Sequence, residues 1–236
     1  MIGVPPRRDD PEWMDGAGNS EDDLARVLED LGRVNRFLQG NRISLAAVRR
    51  YVHRGGHRGV LRVLDVGAGR GDLGMALVRE ARREGRAIEV VALDRDPVIA
   101  GLAVRACAAY PEIRVVEGDA LDPPFADRSF DLVVANLFLH HFDLDAAVDV
   151  VSRLRRLATQ AVLINDLRRH RLPHALFSAA GWILVRHPRA FDDGKLSVLR
   201  GFTPAELDRV AERAGIRGAR ARAVFPFRVV LEIPAA

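Results

Sequence analysis

The chain has 236 residues, with 36 Lys+Arg against 32 Asp+Glu, a formal net charge of +4, and 48% hydrophobic residues. That suits one α/β domain of ordinary size with its own core and excludes a wholly disordered chain. No apolar run reaches the roughly 18 residues of a membrane span, the start MIGVPPRRDDPEWMD has no apolar signal core, and the single Cys107 excludes an internal disulfide and a cysteine-cluster metal site, so a soluble, cytoplasmic protein is expected.

Residues 1–20, rich in Pro, Gly and Asp, read as a flexible lead-in. Ser20 with Asp23 resembles a helix-starting capping box, and Leu24, Val27, Leu28, Leu31, Val34 and Leu38 follow at helical spacing. Gly40-Asn41 is expected to end this helix, and a second, about Ile43 to Val52, leads into a Gly-rich linker, His53 to Gly59. Residues 21–59 thus form a helical cap that precedes a main domain at 60–236.

From residue 60 short apolar runs alternate with helical segments. Val60–Val66, Ile88–Leu93, Ile113–Val116, Phe130–Ala135 and Ala161–Asn165 read as buried strands, with helices around Leu73–Arg83, Pro97–Ala109 and Leu144–Leu157 between them. Repeated βα units predict a parallel sheet covered on both faces. The apolar stretch Leu172–Val185 reads as a helix, and Thr203-Pro204-Ala205-Glu206 is a capping box with proline at the first helical position. The last two runs, Arg217–Val224 and Phe227–Ile233, are too closely joined for a parallel crossover and are expected to pair antiparallel.

Three strand ends carry acids. Val63-Leu64-Asp65-Val66 runs into Gly67-Ala68-Gly69-Arg70-Gly71, a turn whose glycines let a ligand approach the backbone and whose N–H groups face it at a helix start. The shifted triplet Gly69, Gly71, Gly74 also fits the dinucleotide fingerprint. Asp94 closes the second strand, where a carboxylate can accept both ribose hydroxyls. Glu117-Gly118-Asp119-Ala120 follows the third, where a carboxylate can accept the adenine amine. A turn alone explains any one of these acids; three in succession argue for a nucleoside crevice.

Together these elements resemble the class I S-adenosylmethionine-dependent methyltransferases over roughly residues 60–233. The resemblance implies a Rossmann-like, seven-stranded, mostly parallel sheet with an antiparallel last strand, here with the N-terminal helical appendage. It implies S-adenosylmethionine as cofactor, spent as S-adenosylhomocysteine, with Asp65, Gly67, Ala68, Gly69 and Gly71 around the methionine, Asp94 at the ribose, Asp119 and Ala120 at adenine, and Arg95 and Asn136 as further cofactor-binding residues. Asn136-Leu137-Phe138-Leu139 lacks the Asn/Asp-Pro-Pro-aromatic sequence of base-amine methyltransferases. The pair His140-His141 is similar instead to the small-molecule branch, quinone-type and sugar or polyketide O-methyltransferases of natural-product pathways. In the rebeccamycin-type sugar O-methyltransferases such a pair and an Asp after the fifth strand are assigned the base role, which here falls on His140, His141 and Asp166, with His141 and Asp166 expected to converge. An imidazole is suited to take the proton of a hydroxyl acceptor. Phe138, Phe142, Phe177 and Trp182 are expected to wall an acceptor pocket, with His170 and His174 as further candidates at its edge.

A nicotinamide oxidoreductase fits the glycine turn and Asp94 but leaves Asp119 unused, and no Tyr-x-x-x-Lys pair exists, Lys195 being the sole lysine. An RNA-directed methyltransferase is the reading for the cluster Arg168, Arg169, Arg171, but the arginines are spread along the chain among acids. The expected partner is a small-molecule acceptor, with neither nucleic acid nor a metal. Monomer and homodimer are both open.

Overall fold

The apolar runs become strands of one sheet, the central ones because their β-branched residues fit a surface buried on both sides, while the two edge strands stay partly exposed. In the computed structural model, which describes residues 4–16, 18–38, 40–54 and 59–235, these are β1 (Leu61–Val66), β2 (Ile88–Asp94), β3 (Ile113–Glu117), β4 (Phe130–Asn136), β5 (Ala158–Leu167), β6 (Arg220–Val224) and β7 (Arg228–Pro234). Their order is β3-β2-β1-β4-β5-β7-β6, and β7 alone runs against both its neighbours. The expected mixed sheet, with its antiparallel closing strand, is therefore present. The order reverses between β1 and β4, which opens a crevice at the carboxyl ends of the strands.

The helices are α1 (Glu21–Phe37), α2 (Gly40–Arg54), α3 (Asp72–Arg83), α4 (Pro97–Ala106), α5 (Leu144–Leu157), α6 (Arg171–Ala180), α7 (Pro188–Arg200) and α8 (Pro204–Arg213). One sheet face buries Val63, Leu132 and Leu163 against Val48 of α2 and Leu77 of α3. The other buries Leu64, Val133 and Val162 against Val151 of α5 and Leu207 of α8. Ser20 caps α1 by accepting from the Asp23 N–H, and Thr203 with Glu206 forms the expected capping box of α8. Among the described residues no helix is long and apolar enough to cross a membrane.

Three local expectations are corrected. Gly40-Asn41 does not end α1, which stops at Phe37; both residues open α2. Glycine is needed at 40 for packing, since a Cβ there would stand 1.9 Å from Asn35 Oδ1 and 2.5 Å from Arg228 Nη2. The lead-in, expected to be flexible, is tied down over residues 5–16: Arg7 donates to the carbonyls of Phe142 (2.6 Å) and Arg200 (2.9 Å), and Asp193 accepts from the Trp13 (2.8 Å) and Met14 (3.2 Å) N–H groups. The apolar stretch after β5 breaks at Gly181, and its Leu172, Leu176, Trp182 and Ile183 are exposed. Residues 55–58 of the expected Gly-rich linker lie outside the described residues.

Candidate active site

A cavity of about 600 Å³ opens at the crevice, within the range of small-molecule sites. On the β1–β2–β3 side it is lined by Asp65, Gly67, Ala68, Gly69, Asp94, Arg95, Asp119 and Ala120, as the sequence reading expects. The Asp94 carboxylate accepts from the Gly69 N–H (2.9 Å) and the Asp96 N–H (3.2 Å), which ties the glycine turn to the end of β2. Burial raises its pKa, so a partner that donates hydrogen bonds to it would be favoured. Asp65 is 2% exposed, its Oδ2 has no hydrogen-bond partner, and burial pushes its carboxyl up to about 7. Asp119 anchors its own turn by accepting from the Leu121 N–H at 2.8 Å.

Gly71 departs from the expected ligand shell, as it does not line the cavity. It starts α3 with φ +78°, and a Cβ on it would lie 2.6 Å from Cys107 Sγ, so its role is to turn the chain. Gly67, at φ +64°, has the Phe138 ring where its Cβ would be, at 2.1 Å. After β4, Leu137 sits in the left-handed region at φ 56°, costly for a branched side chain, and its N–H donates to the Asn165 carbonyl at 2.9 Å. That bend delivers Phe138 and the short 3-10 turn Leu139–His141 to the cavity.

The histidine pairing differs from the expectation. His140, not His141, meets Asp166: Nδ1 lies 2.6 Å from Oδ1, and the His140 N–H donates to Oδ2 at 2.9 Å. Asp166 accepts a third bond, from the Leu167 N–H at 2.7 Å. Burial would raise its pKa, but the His140 charge and these hydrogen bonds outweigh burial and hold it below the ordinary carboxylate value. An ionised Asp166 only accepts, so Nδ1 of His140 carries its proton and Nε2 is left as the basic atom. Nε2 lies 3.6 Å from Oε1 of Glu12, a buried acid that burial raises to about 7. His141 lies against His140, tilted by 31° with ring centroids 4.3 Å apart, and pairs through Nδ1 with Asp15 at 3.1 Å. Glu12, His140 and His141 offer ligand atoms within 4.8 Å of one another, a spacing at which three groups can ligate one cation.

Several members of this group carry no sequence signal. Glu12 and Asp15 lie in the lead-in, and Arg200 of α7 is buried with Nε on the His140 carbonyl (2.9 Å) and Nη2 on the His141 carbonyl (2.5 Å), fixing the turn that carries both rings. A buried arginine inside a polar helix looks in sequence like any solvated one. Phe138, Phe142, Phe177 and Asn136 line the cavity, and Phe138 and Phe142 meet edge to face at 5.1 Å. The cavity does not include His170, His174 or Trp182. His170 caps α6 by accepting from the Leu172 N–H, and Trp182, 68% exposed, donates to the Ala179 carbonyl. Of the arginine cluster, Arg169 is buried on Pro5, Gly201 and Glu206 and so is taken up within the fold.

The cavity fits S-adenosylmethionine on its own geometry. Acids dominate the β1–β3 side, suiting a sulfonium cation; Asp65, with an orphaned oxygen, is among its lining residues; and glycines with positive φ keep the turn after β1 free of side chains. Comparison with known proteins agrees. Residues 63–160 match a family model described as a methyltransferase domain. A 2-phytyl-1,4-naphthoquinone methyltransferase of Thermosynechococcus vestitus is 34% identical over 94 residues, 40% of this chain and only 38% of that protein. Among solved structures, an S-adenosylmethionine-dependent methyltransferase of Methanococcus maripaludis, itself described as putative, aligns with TM-score 0.63 at 15% identity over 94% of this chain and 96% of that one. The magnesium protoporphyrin IX methyltransferase of Synechocystis, solved with S-adenosylhomocysteine, aligns with TM-score 0.58 at 18% identity over 86% and 87%. A carbon methyltransferase, CurJ, aligns with TM-score 0.61 at 16% identity over 83% of this chain and 54% of that one. At such identities the structures share the fold alone, and the match to the methyltransferase domain model, over residues 63–160, lies on β1 to β5 and spans less than half of the chain.

Proposed function

We propose that the chain transfers a methyl group from S-adenosylmethionine to a hydroxyl of a small-molecule acceptor, phenolic, polyketide-like or glycosylated, with His140 as the base. The observation that carries this reading is the buried His140–Asp166 pair at 2.6 Å, opening onto the cavity that also holds the acid-lined nucleoside side. Bound S-adenosylmethionine supplies a methyl group already activated on a sulfonium. The protein's part is then to hold the acceptor in line and to take its proton.

Asp94 and Asp119 would hold the ribose and the adenine amine, and Gly67 to Gly69 the methionine end. Phe138, Phe142 and Phe177 supply an apolar wall that excludes water from the acceptor side. His140 Nε2 receives the hydroxyl proton, Asp166 stabilises the imidazolium, and Glu12 beside Nε2 can pass the proton on. His141 with Asp15, nearer the solvent, is placed to orient the acceptor. The test is transfer of labelled methyl from S-adenosylmethionine to a panel of phenols and hydroquinones. His140→Gln is expected to lower turnover by about 10²- to 10⁴-fold with S-adenosylhomocysteine affinity unchanged, and His141→Gln by less. The reverse order, or label appearing on carbon, overturns this reading.

A further inference from the structure

One charged group on the cavity wall has no part in this chemistry. Arg228, the first residue of β7, is 1% exposed and lines the same cavity. Its Nη2 donates to Asn35 Oδ1 at 2.7 Å, while Nε and Nη1 have no hydrogen-bond partner. Among the described residues no carboxylate lies within ion-pair distance of it. Asp166 is near enough to be felt, but its oxygens are taken by His140 and two backbone N–H groups. Although burial lowers the guanidinium pKa to about 10, it remains charged at neutral pH.

A buried cation with unused donors is costly and is ordinarily found paired. This one is held in place rather than tolerated. Asn35 Nδ2 donates to Asn41 Oδ1 (2.7 Å), Asn136 Nδ2 donates to the same oxygen (3.1 Å), and Asn165 Nδ2 donates to Asn136 Oδ1 (2.8 Å). That chain of neutral amides spans from α1 to β4 and β5 and leaves the Asn35 oxygen turned to Arg228. Gly40 has no side chain at the point where one would strike the guanidinium.

We propose that Arg228 anchors a carboxylate on the methyl acceptor, so that the preferred substrates are small aromatic or polyketide-like acids. The inference rests on the methyltransferase reading and narrows its substrate class. An anion has a second source, the methionine carboxylate of the cofactor, but strand order favours the acceptor. Arg228 is three strands from the glycine turn of β1, across β4 and β5, roughly 14 Å at the ~4.8 Å spacing of neighbouring strands. With Glu12, Asp15, Asp65, Asp94 and Asp119 on the same cavity, an acidic acceptor can dock in one orientation, its carboxylate at Arg228.

The experiment is calorimetric titration of the S-adenosylhomocysteine-saturated protein with 1-naphthoate and with its neutral isostere 1-naphthamide. The wild type is expected to bind the carboxylate at least tenfold more tightly, and Arg228→Gln to erase that preference while S-adenosylhomocysteine affinity stays unchanged. Equal binding of the two probes, or no carboxylate binding, overturns the proposal. So does an Arg228→Gln variant that loses S-adenosylhomocysteine affinity, which would assign the arginine to the cofactor. Should the variant not fold, the wild-type comparison decides alone. Failure of the wild type to bind S-adenosylhomocysteine would instead be a failure of the methyltransferase reading, seen before either probe is added.

Discussion

Replacing Asp166 by Asn changes one oxygen of a fully buried carboxylate into a donor. In the native protein three N–H groups point at that carboxylate, from His140 Nδ1 (2.6 Å), the His140 backbone (2.9 Å) and the Leu167 backbone (2.7 Å). If the Asn oxygen keeps the Oδ1 position, its amide group meets the His140 backbone N–H, so at least one bond is lost and the His140 ring loses its anionic partner. One unsatisfied buried group costs about 1–3 kcal/mol, and removing one partner of a buried ion pair costs about 3–5 kcal/mol. The isosteric change retains two bonds, so about 3 kcal/mol is expected, or ~6–12 °C in Tm for a chain of this size. The assay is thermal and urea unfolding of both proteins across pH. Since the folded-state pKa of Asp166 lies below the ordinary value of 3.8, its contribution is present above that value and is lost as pH falls through the folded one. The gap between wild type and variant should therefore stay open from neutral pH down to about 4 and close below. A gap under about 2 °C at neutral pH, or one that closes already between pH 7 and 5, would refute the pairing.

Glu12→Gln should act in the opposite direction. Burial raises the Glu12 pKa from 4.5 to about 7, so the folded state holds the proton more tightly, and wild-type stability falls as pH rises through that window. At about 1.4 kcal/mol per pH unit the difference is on the order of 3 kcal/mol, so the variant should match the wild type below pH ~4.5 and be more stable at pH 8; a constant offset in urea unfolding would contradict this. Gly67→Ala places a methyl on the Phe138 ring at φ +64°, whereas Gly85→Ala meets nothing at φ +63°. Both pay for the left-handed backbone, about 1–2 kcal/mol, but Gly67→Ala should cost a further ~1–3 kcal/mol and weaken S-adenosylhomocysteine binding. Equal unfolding midpoints for the two variants would show that Phe138 is not packed on the turn.

The fold and the residues lining the β1–β3 side of the cavity were legible because they depend on local pattern. Alternating apolar runs mark β1 to β5, and the glycine turn, Asp94 and Asp119 stand at strand ends where sequence position fixes spatial position. The acceptor side was legible only in part. Both histidines follow β4 and the acid follows β5, but which ring faces Asp166 depends on the left-handed bend at Leu137 and on Arg200 gripping both histidine carbonyls. Phe177 reaches the cavity while Trp182, five residues on, is turned outward by the break at Gly181. Glu12, Asp15 and Arg228 lie far away in sequence, at 12, 15 and 228, and meet the site through tertiary docking that no periodicity records.

The central claim is that this crevice is built for S-adenosylmethionine, and the direct test is calorimetry with S-adenosylhomocysteine on the wild type and Asp94→Ala. Asp94 now accepts two backbone N–H bonds and would accept the ribose hydroxyls in addition, so its loss should weaken binding by a charge-assisted increment of about 1.5–3 kcal/mol, roughly 10- to 150-fold. The account predicts saturable one-site binding to the wild type, weakened to that extent in the variant, and no comparable binding of NADH. Absence of S-adenosylhomocysteine binding to the wild type, or equal affinity in the Asp94→Ala protein, would contradict it.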